Sequence, residues 1–143
     1  MGYVDFSELL NKYIIKIDKL DDEIYFYLTN GAEYKMYHEN DCCEQVYIED
    51  IDGDLNDLLH SRILQADEST KVGTGSESET WTFYKLATIK GYVTIRWYGS
   101  SNGYYSESAS IKKIKDEDPI KEQRKKKLLE IGTNKEQYEK ESV

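Results

Sequence analysis

"TWTFYKLATIKGYVTIRWYGSSNGYYSESASI", residues 80–111, carries the main evidence for the fold class of this chain. Apolar and polar residues alternate along it, and β-branched and aromatic residues are frequent, which is typical of half-buried strands. Lys90-Gly91 and Asn102-Gly103 interrupt the alternation, and glycine-containing dipeptides of this kind favour the tight turns of β-hairpins. The pattern predicts a three-stranded antiparallel meander.

Two-residue loops at both turns would fix which residues share a face of this meander. One face then carries aromatic rings beside cations, namely Trp81, Phe83, Lys85, Arg96, Tyr98 and Tyr105. The other face carries Tyr84, Leu86, Ile95 and Trp97 and is the natural core face. In this register Lys85 lies opposite Arg96 and Ser100 lies opposite Tyr105. Two like charges opposed on a sheet cost stability unless an anion or a carboxylate lies between them.

The mixed face has the chemistry that a small nucleotide needs, since rings can stack on the base and cations can pair with phosphate. Ser100, Ser101 and Asn102 at the turn add short donors and acceptors for hydroxyl groups. Two structural alternatives stay open, because Glu107 could neutralise Arg96 and a helix could cover the rings. A one-residue slip would also exchange the two faces.

The rest of the chain is also rich in strand patterns. Strands are predicted at residues 13–17, 23–29, 45–50 and 62–67, and in the run that follows the Asn30-Gly31 turn. Asp5 and Glu8 predict a short helix over Phe6 to Lys12, and residues 54–60 predict one or two helical turns. Residues 68–79 are polar and rich in glycine and serine, which predicts a mobile loop.

A C-terminal helix is predicted from Pro119 to Ile131, with Asp118 as its N-cap and Gly132 positioned to end it. Its basic residues Lys121, Arg124 and Lys125 share one face and form either a second wall for an anion or a solvated surface. The prediction as a whole is a single α+β domain over residues 1–143. It has a mainly antiparallel β-sheet core over about 13–111, a short N-terminal helix, and one or two C-terminal helices over about 118–141.

Charge is spread unevenly along the chain. The formal net charge is −9, and residues 112–127 carry eight Lys/Arg against four Asp/Glu, so this segment is at +4 and the remainder at −13. Such acidity argues against DNA or an anionic membrane as a partner. It also fits an alternative function, an acidic protein–protein inhibitor that mimics nucleic acid on a host protein. There is no signal-peptide pattern and no apolar run that could span a membrane, so we expect a cytosolic protein.

Motifs for catalysis, cofactors or metals are weak. The sequence has no G-x-S-x-G, no P-loop and no H-E-x-x-H. Cys42 and Cys43 are adjacent, which does not match the spacing of a zinc site and excludes an ordinary long-range disulfide between them, in agreement with a reducing compartment. We expect a protein that is not an enzyme and that has no cofactor and no metal.

Two segments, HENDCCEQVYIEDIDGDLNDLL (38–59) and WTFYKLATIKGYVTIRWYGSSNGYYSES (81–108), resemble a phage-encoded family that includes the Thoeris anti-defence proteins of the first type. Those proteins are sponges for a cyclic ADP-ribose isomer made by bacterial TIR-domain enzymes. The resemblance implies a homo-oligomer built on dimers, in the cytoplasm of the infected bacterial host, that binds the signal without degrading it. It leaves open whether other cyclic oligonucleotides bind as well.

The resemblance also implies ligand contacts at Tyr92 and Asn102. Of the family's C-terminal arginines, only Arg124 has a counterpart here, because the neighbouring basic positions are lysine. Lysine cannot contact a phosphate with the bidentate geometry of arginine. Pattern and resemblance together give these candidate ligand-binding residues: Phe83, Lys85, Tyr92, Arg96, Tyr98, Ser100, Ser101, Asn102, Gly103, Tyr105, Lys121, Arg124 and Lys125.

Overall fold

The computed structural model describes residues 2–75 and 77–119. Within these ranges the chain forms eight strands and two short 3₁₀ helices, Phe6–Leu9 and Leu55–Leu58. The strands are β1 (Ile14–Leu20), β2 (Glu23–Leu28), β3 (Glu33–Tyr37), β4 (Gln45–Asp52), β5 (Gln65–Val72), β6 (Ser78–Thr88), β7 (Gly91–Ser101) and β8 (Ser110–Lys115).

The strands form two four-stranded sheets. The first sheet has the order β1-β2-β3-β8 and the second has the order β4-β7-β6-β5. Every pairing between these strands is antiparallel, which confirms the predicted mainly antiparallel β architecture. In β2, β3, β6 and β7 buried residues recur at every second position, because successive side chains of a strand point to opposite faces of the sheet.

The core lies between the two sheets. β2 and β3 of the first sheet contribute Phe26 and Met36, and β7 of the second contributes Trp97, all of them fully buried. The indole N–H of Trp97 donates a hydrogen bond to the Met36 sulfur at 3.3 Å, which joins the facing sheets at their centre. The predicted core-face residues Tyr84, Leu86, Ile95 and Trp97 are all buried, so the assignment of that face is confirmed.

The two helices predicted in the first half of the chain are only single 3₁₀ turns. The Asp5 carboxylate accepts the Ser7 N–H at 2.9 Å, as the predicted cap requires. Leu10, however, is extended, and its N–H bonds to the Ser7 carbonyl, which ends the turn after Leu9. Phe6 and Leu9 are buried, so the turn packs into the core over only these four residues and the predicted helix to Lys12 is wrong. Residues 54–60 likewise give only the turn Leu55–Leu58.

The predicted mobile loop over residues 68–79 is wrong at residues 68–72 and 78–79, which belong to strands. β5 begins at Gln65 and pairs without interruption with β6 as far as Val72, and β6 already begins at Ser78. β5 is the edge strand of its sheet, and all of its residues except Ala66 are exposed. An edge strand that is exposed on both faces tolerates a polar sequence, so polarity alone did not distinguish it from a loop.

The β6–β7 hairpin is confirmed, but its register differs from the prediction by two residues. Thr88 pairs with Gly91, so the turn is Ile89-Lys90 and not Lys90-Gly91. Arg96 consequently lies opposite Phe83, and the predicted pair of Lys85 and Arg96 does not exist. A shift of two residues leaves every side chain on its predicted face, because the side-chain period of a strand is two.

The predicted third strand of the meander is wrong. After β7 the chain bends through residues 102–109 and crosses to the first sheet, where β8 pairs with β3. β4 takes the place beside β7, so Ser100 lies opposite Gln45 and not opposite Tyr105. The C-terminal helices predicted beyond Pro119 lie outside the described residues. In the described part of the chain, no helix has the length and apolar character needed to cross a membrane.

Candidate ligand-binding site

The outer face of the second sheet carries one row of side chains that crosses all four strands. Lys71 of β5 lies opposite Trp81 of β6, Trp81 opposite Tyr98 of β7, and Tyr98 opposite Tyr47 of β4. The Trp81 and Tyr98 ring centroids are 5.3 Å apart, and those of Tyr98 and Tyr47 are 5.6 Å apart. We call Trp81, Tyr98 and Tyr47 the aromatic row. Its rings are partly exposed, and Tyr47 has 39% of its surface accessible.

The aromatic row is held in place from the next row of side chains. The Tyr98 hydroxyl donates a hydrogen bond to the Glu79 carboxylate, and this bond raises the pKa of Tyr98 above its ordinary value. Gly73, just after β5, lets the Trp81 ring approach closely, since a Cβ at position 73 would lie 3.3 Å from that ring. The orientation of two of the three rings is therefore fixed by neighbours in the second sheet.

A groove of about 470 Å³ opens beside the aromatic row, at the end of the sheet where β7 stops. Six of its seven lining residues have polar side chains and the seventh is a cysteine: Cys43, Gln45, Glu77, Ser78, Ser100, Ser101 and Asn102. Gln45 and Ser100 face each other across β4 and β7, one row beyond Tyr47 and Tyr98. A ring stacked on the aromatic row would thus have donors and acceptors at its edge.

The turn after β7 engages part of the Asn102 side chain. Its Oδ1 accepts the N–H of Tyr104 at 3.0 Å, and the Ser101 hydroxyl oxygen accepts the N–H of Gly103 at 2.9 Å. Asn102 is exposed, and its amide NH₂ forms no hydrogen bond within the described part of the chain. The oxygen therefore builds the turn, while the NH₂ of this groove-lining residue is left as a free donor.

Glu107 anchors the loop that carries Asn102. It is only 8% exposed and accepts hydrogen bonds from the hydroxyls of Ser101 and, at 2.9 Å, of Thr80. Burial by itself would raise the pKa of Glu107, but hydrogen bonds from Ser101, Ser78 and Thr80 outweigh it, so the pKa is lowered. Gly99 permits this arrangement, because a Cβ built there would overlap the Glu107 carbonyl oxygen.

Arg96 is neutralised by Glu49 and not by Glu107, the partner considered from the sequence. Its Nε donates to the Glu49 carboxylate at 2.7 Å, whereas Glu107 lies buried among hydroxyl groups. Phe83 is opposite Arg96, one row from Trp81, so both lie beside the aromatic row. Lys85 lies two rows from Trp81, opposite Asp67 and Thr94. The predicted pair of opposed cations is thus absent from this face.

The other predicted site residues are dispersed. Ser100, Ser101 and Asn102 line the groove, and Gly103 and Tyr105 belong to the loop that follows it. Tyr92 lies near the opposite end of β7, six residues from Tyr98, which is roughly 20 Å along a strand. The basic residues Lys121, Arg124 and Lys125 lie outside the described residues.

The outer face of the first sheet is also rich in tyrosine, but there lysine ammonium groups lie over the rings. The Lys35 ammonium lies 4.6 Å from the Tyr37 ring centroid and 5.7 Å from that of Tyr25. The Lys16 ammonium lies 5.3 Å from the Tyr27 centroid. Among the described residues, no such cation lies over a ring of the aromatic row. The second sheet therefore offers the free aromatic surface.

The segment between β3 and β4 borders the groove and contains both cysteines. The Sγ atoms of Cys42 and Cys43 are bonded to each other. Their adjacency in the sequence excluded only a long-range disulfide, and it did not predict this bond between neighbouring residues. Glu44 accepts the N–H groups of Cys42 and Asp41, each at 2.9 Å, and contacts the His38 ring at 3.0 Å. The N–H of Cys42, followed by that of Asp41 and by His38, lowers the pKa of Glu44 to about 2 against the effect of burial.

Sequence reasoning missed Lys71, Gln45 and Tyr47. Alternation in "QVYIED" does place Gln45 and Tyr47 on one face of β4, but nothing local shows that β4 pairs with β7. Lys71 was assigned to a loop because its neighbours are small and polar. All three residues were missed for the same reason. Their place on the face depends on the β4–β7 and β5–β6 pairings, and the sequence shows no recognisable hairpin turn for either pairing.

A family described as a domain of unknown function (DUF7448) matches residues 7–111. The chain belongs to this family. The matched region contains β1 to β7, the aromatic row, the groove and the loop anchored by Glu107, whereas Lys121, Arg124 and Lys125 follow it. No curated protein and no solved structure is detectably similar to the chain. The family match therefore covers the region that holds the candidate site, but the description of the family does not say what this region binds.

Proposed function

We propose that this protein of the DUF7448 family is a non-catalytic binding protein that sequesters a small cyclic nucleotide of the cyclic ADP-ribose type. The observation that carries the proposal is the uncovered aromatic row beside a polar groove. Aromatic rings accept the face of a base, and the groove supplies hydrogen-bonding groups for its edge and for ribose. The resemblance of residues 38–59 and 81–108 to Thoeris anti-defence proteins supports the same ligand class and a role in blocking that bacterial defence.

A protein of this kind acts by mass action, so it has to bind its ligand tightly. Nanomolar affinity corresponds to about −12 kcal/mol, while one stacked base contributes roughly 1–3 kcal/mol. The aromatic row and the open groove therefore need a further wall that encloses the ligand. In the proposal this wall comes from a second protomer of a homo-oligomer built on dimers and from the basic segment with Lys121, Arg124 and Lys125.

A second candidate function is supported by the acidic surface next to β4. Asp50, Asp52 and Asp54 are exposed and follow one another at every second position, and none of them forms an ion pair within the described residues. A regular series of carboxylates can occupy a basic groove on another protein, as a nucleic-acid mimic does. Such an inhibitor would act without capturing a nucleotide, so one experiment separates the two functions.

The decisive measurement is capture followed by release. The full chain is incubated with a TIR-generated cyclic ADP-ribose isomer and separated from free ligand by filtration. The protein fraction is then heated, and the released material is analysed by chromatography. Retention of the ligand and its release unchanged are expected. A chemically altered product would mean that the protein is an enzyme, and no retention at micromolar protein would overturn the proposal in favour of the acidic inhibitor.

The contribution of the aromatic row is tested by Tyr47→Ala, which removes its most accessible described ring. Because a stacking contact contributes roughly 1–3 kcal/mol, the dissociation constant should rise about 5- to 150-fold. The matched control is Tyr25→Ala, since the Tyr25 ring already lies under the Lys35 ammonium on the other sheet. Titration calorimetry on both variants checks the prediction, and equal effects of the two substitutions would remove the aromatic row from the site.

A further inference from the structure

Lys71 stands at the end of the same row as the three aromatic rings. It lies directly opposite Trp81 in the β5–β6 ladder, so the Cβ atoms of the two residues are about 4.5–5.5 Å apart and on the same face. Lys71 is exposed, and within the described part of the chain it forms no ion pair. Its ammonium group is therefore available to a ligand that lies on Trp81.

The other cations on this face are not available in the same way. Arg96 is bonded to Glu49 at 2.7 Å, so its charge is already compensated. Lys85 lies opposite Asp67 and is four residues from Trp81 along β6, which is about 13 Å. The Glu79 carboxylate, one row from the aromatic row along β6, accepts a hydrogen bond from the Tyr98 hydroxyl. Lys71 is thus the uncompensated positive charge in the row among the described residues.

We propose that Lys71 pairs with the phosphate of a ligand stacked on the aromatic row and sets the preference of the site for an anionic over a neutral planar ligand. This inference rests on the proposed nucleotide-binding function and adds the residue that recognises the charge. An ammonium group on a flexible stem suits the role, because it can follow a phosphate without demanding bidentate geometry.

The test compares two lysine variants of the full chain, Lys71→Ala and Lys85→Ala, with the same cyclic ADP-ribose isomer and with adenosine. Lys71→Ala should raise the dissociation constant of the cyclic ADP-ribose isomer roughly two- to fivefold, as expected for one exposed ion pair. The affinity of Lys71→Ala for this ligand should also depend less on NaCl concentration than the affinity of the wild type does, because the ammonium charge that salt screens has been removed. Lys85→Ala should change neither quantity, and adenosine should bind equally to all three proteins.

The outcomes separate this inference from the function on which it rests. If the wild type captures the ligand but Lys71→Ala matches Lys85→Ala in affinity and salt dependence, Lys71 is not the phosphate contact and the aromatic row keeps its role. A similar loss of adenosine binding in Lys71→Ala would show a structural effect and would also overturn the inference. If the wild type binds neither ligand, the proposed function fails and the inference fails with it.

Discussion

At the scale of single residues, Asn102 shows how one side chain can serve both the fold and a ligand. Its Oδ1 accepts the Tyr104 N–H at 3.0 Å, so the chain does turn at Asn102-Gly103, although the hairpin predicted there does not form. The NH₂ of the same amide remains free within the described residues and lies where the groove begins. The two roles suggested for this residue therefore use different atoms and do not compete.

The two roles of Asn102 can be separated by comparing Asn102→Ser with Asn102→Ala. Serine keeps an acceptor that favours the turn but lacks the amide donor, whereas alanine loses both. If the NH₂ contacts the ligand, both variants should bind it about two- to tenfold more weakly, as expected for one lost hydrogen bond. Calorimetric titration checks this. Wild-type affinity in Asn102→Ser would restrict the residue to its role in the turn.

At the scale of elements, strand pairing determines what the outer face of the second sheet contains. The observed register of the β6–β7 hairpin differs from the predicted one by two residues, which leaves the two faces of the hairpin unchanged. Trp81, Phe83 and Tyr98 therefore lie on one face, as predicted. β4 and β5 then added Tyr47 and Lys71 to the same row from outside the hairpin. Local pattern was sufficient for the faces, while the composition of the row depended on non-local partners.

β5 provides a direct test at this scale, because its sequence predicted a mobile loop. Its ladder to β6 extends from Gln65 to Val72, so amides that point towards β6 should exchange with deuterium slowly. Amides of residues 102–106, where the chain bends outside any strand, should exchange faster. Hydrogen–deuterium exchange followed by mass spectrometry measures both segments in one protein. Equally fast exchange in the two segments would contradict the strand.

At the scale of the whole molecule, a buried contact ties the two sheets together next to the groove. His38 follows β3 of the first sheet, and Glu44 precedes β4 of the second. The two side chains are 6% and 0% exposed, with 3.0 Å between Nε2 and the carboxylate. The other ring nitrogen of His38 lies 3.0 Å from the Ser108 carbonyl, so this contact also reaches the chain entering β8.

This arrangement predicts how stability depends on pH. The folded state lowers the pKa of Glu44 from 4.5 to about 2, chiefly through the N–H of Cys42. A lowered pKa means that the carboxylate stabilises the fold above about pH 4.5 and that this contribution disappears as the pH falls towards 2. The free energy of unfolding in urea should therefore fall over that range.

The matched variants for this prediction are Glu44→Gln and Glu39→Gln. Glutamine at position 44 should make the protein less stable at pH 7 and should flatten the loss of stability below pH 4.5. Glu39 is an exposed carboxylate in the same connection, so its substitution should leave the slope unchanged. If Glu44→Gln loses stability on acidification as steeply as the wild type, the lowered pKa of Glu44 does not contribute to the acid sensitivity of the fold.

The sequence by itself determined the strand character of the chain, the antiparallel pairing, the core face with Tyr84 and Trp97, and the outer face with Trp81 and Tyr98. These features depend on side-chain alternation and on turn chemistry, which are local. Three features became visible only in the folded chain: β8 joins β3, β4 and β5 flank the hairpin, and Glu49 rather than Glu107 neutralises Arg96. Those choices depend on how two sheets bury one common core, and contacts between distant segments leave no periodic signal in a single sequence.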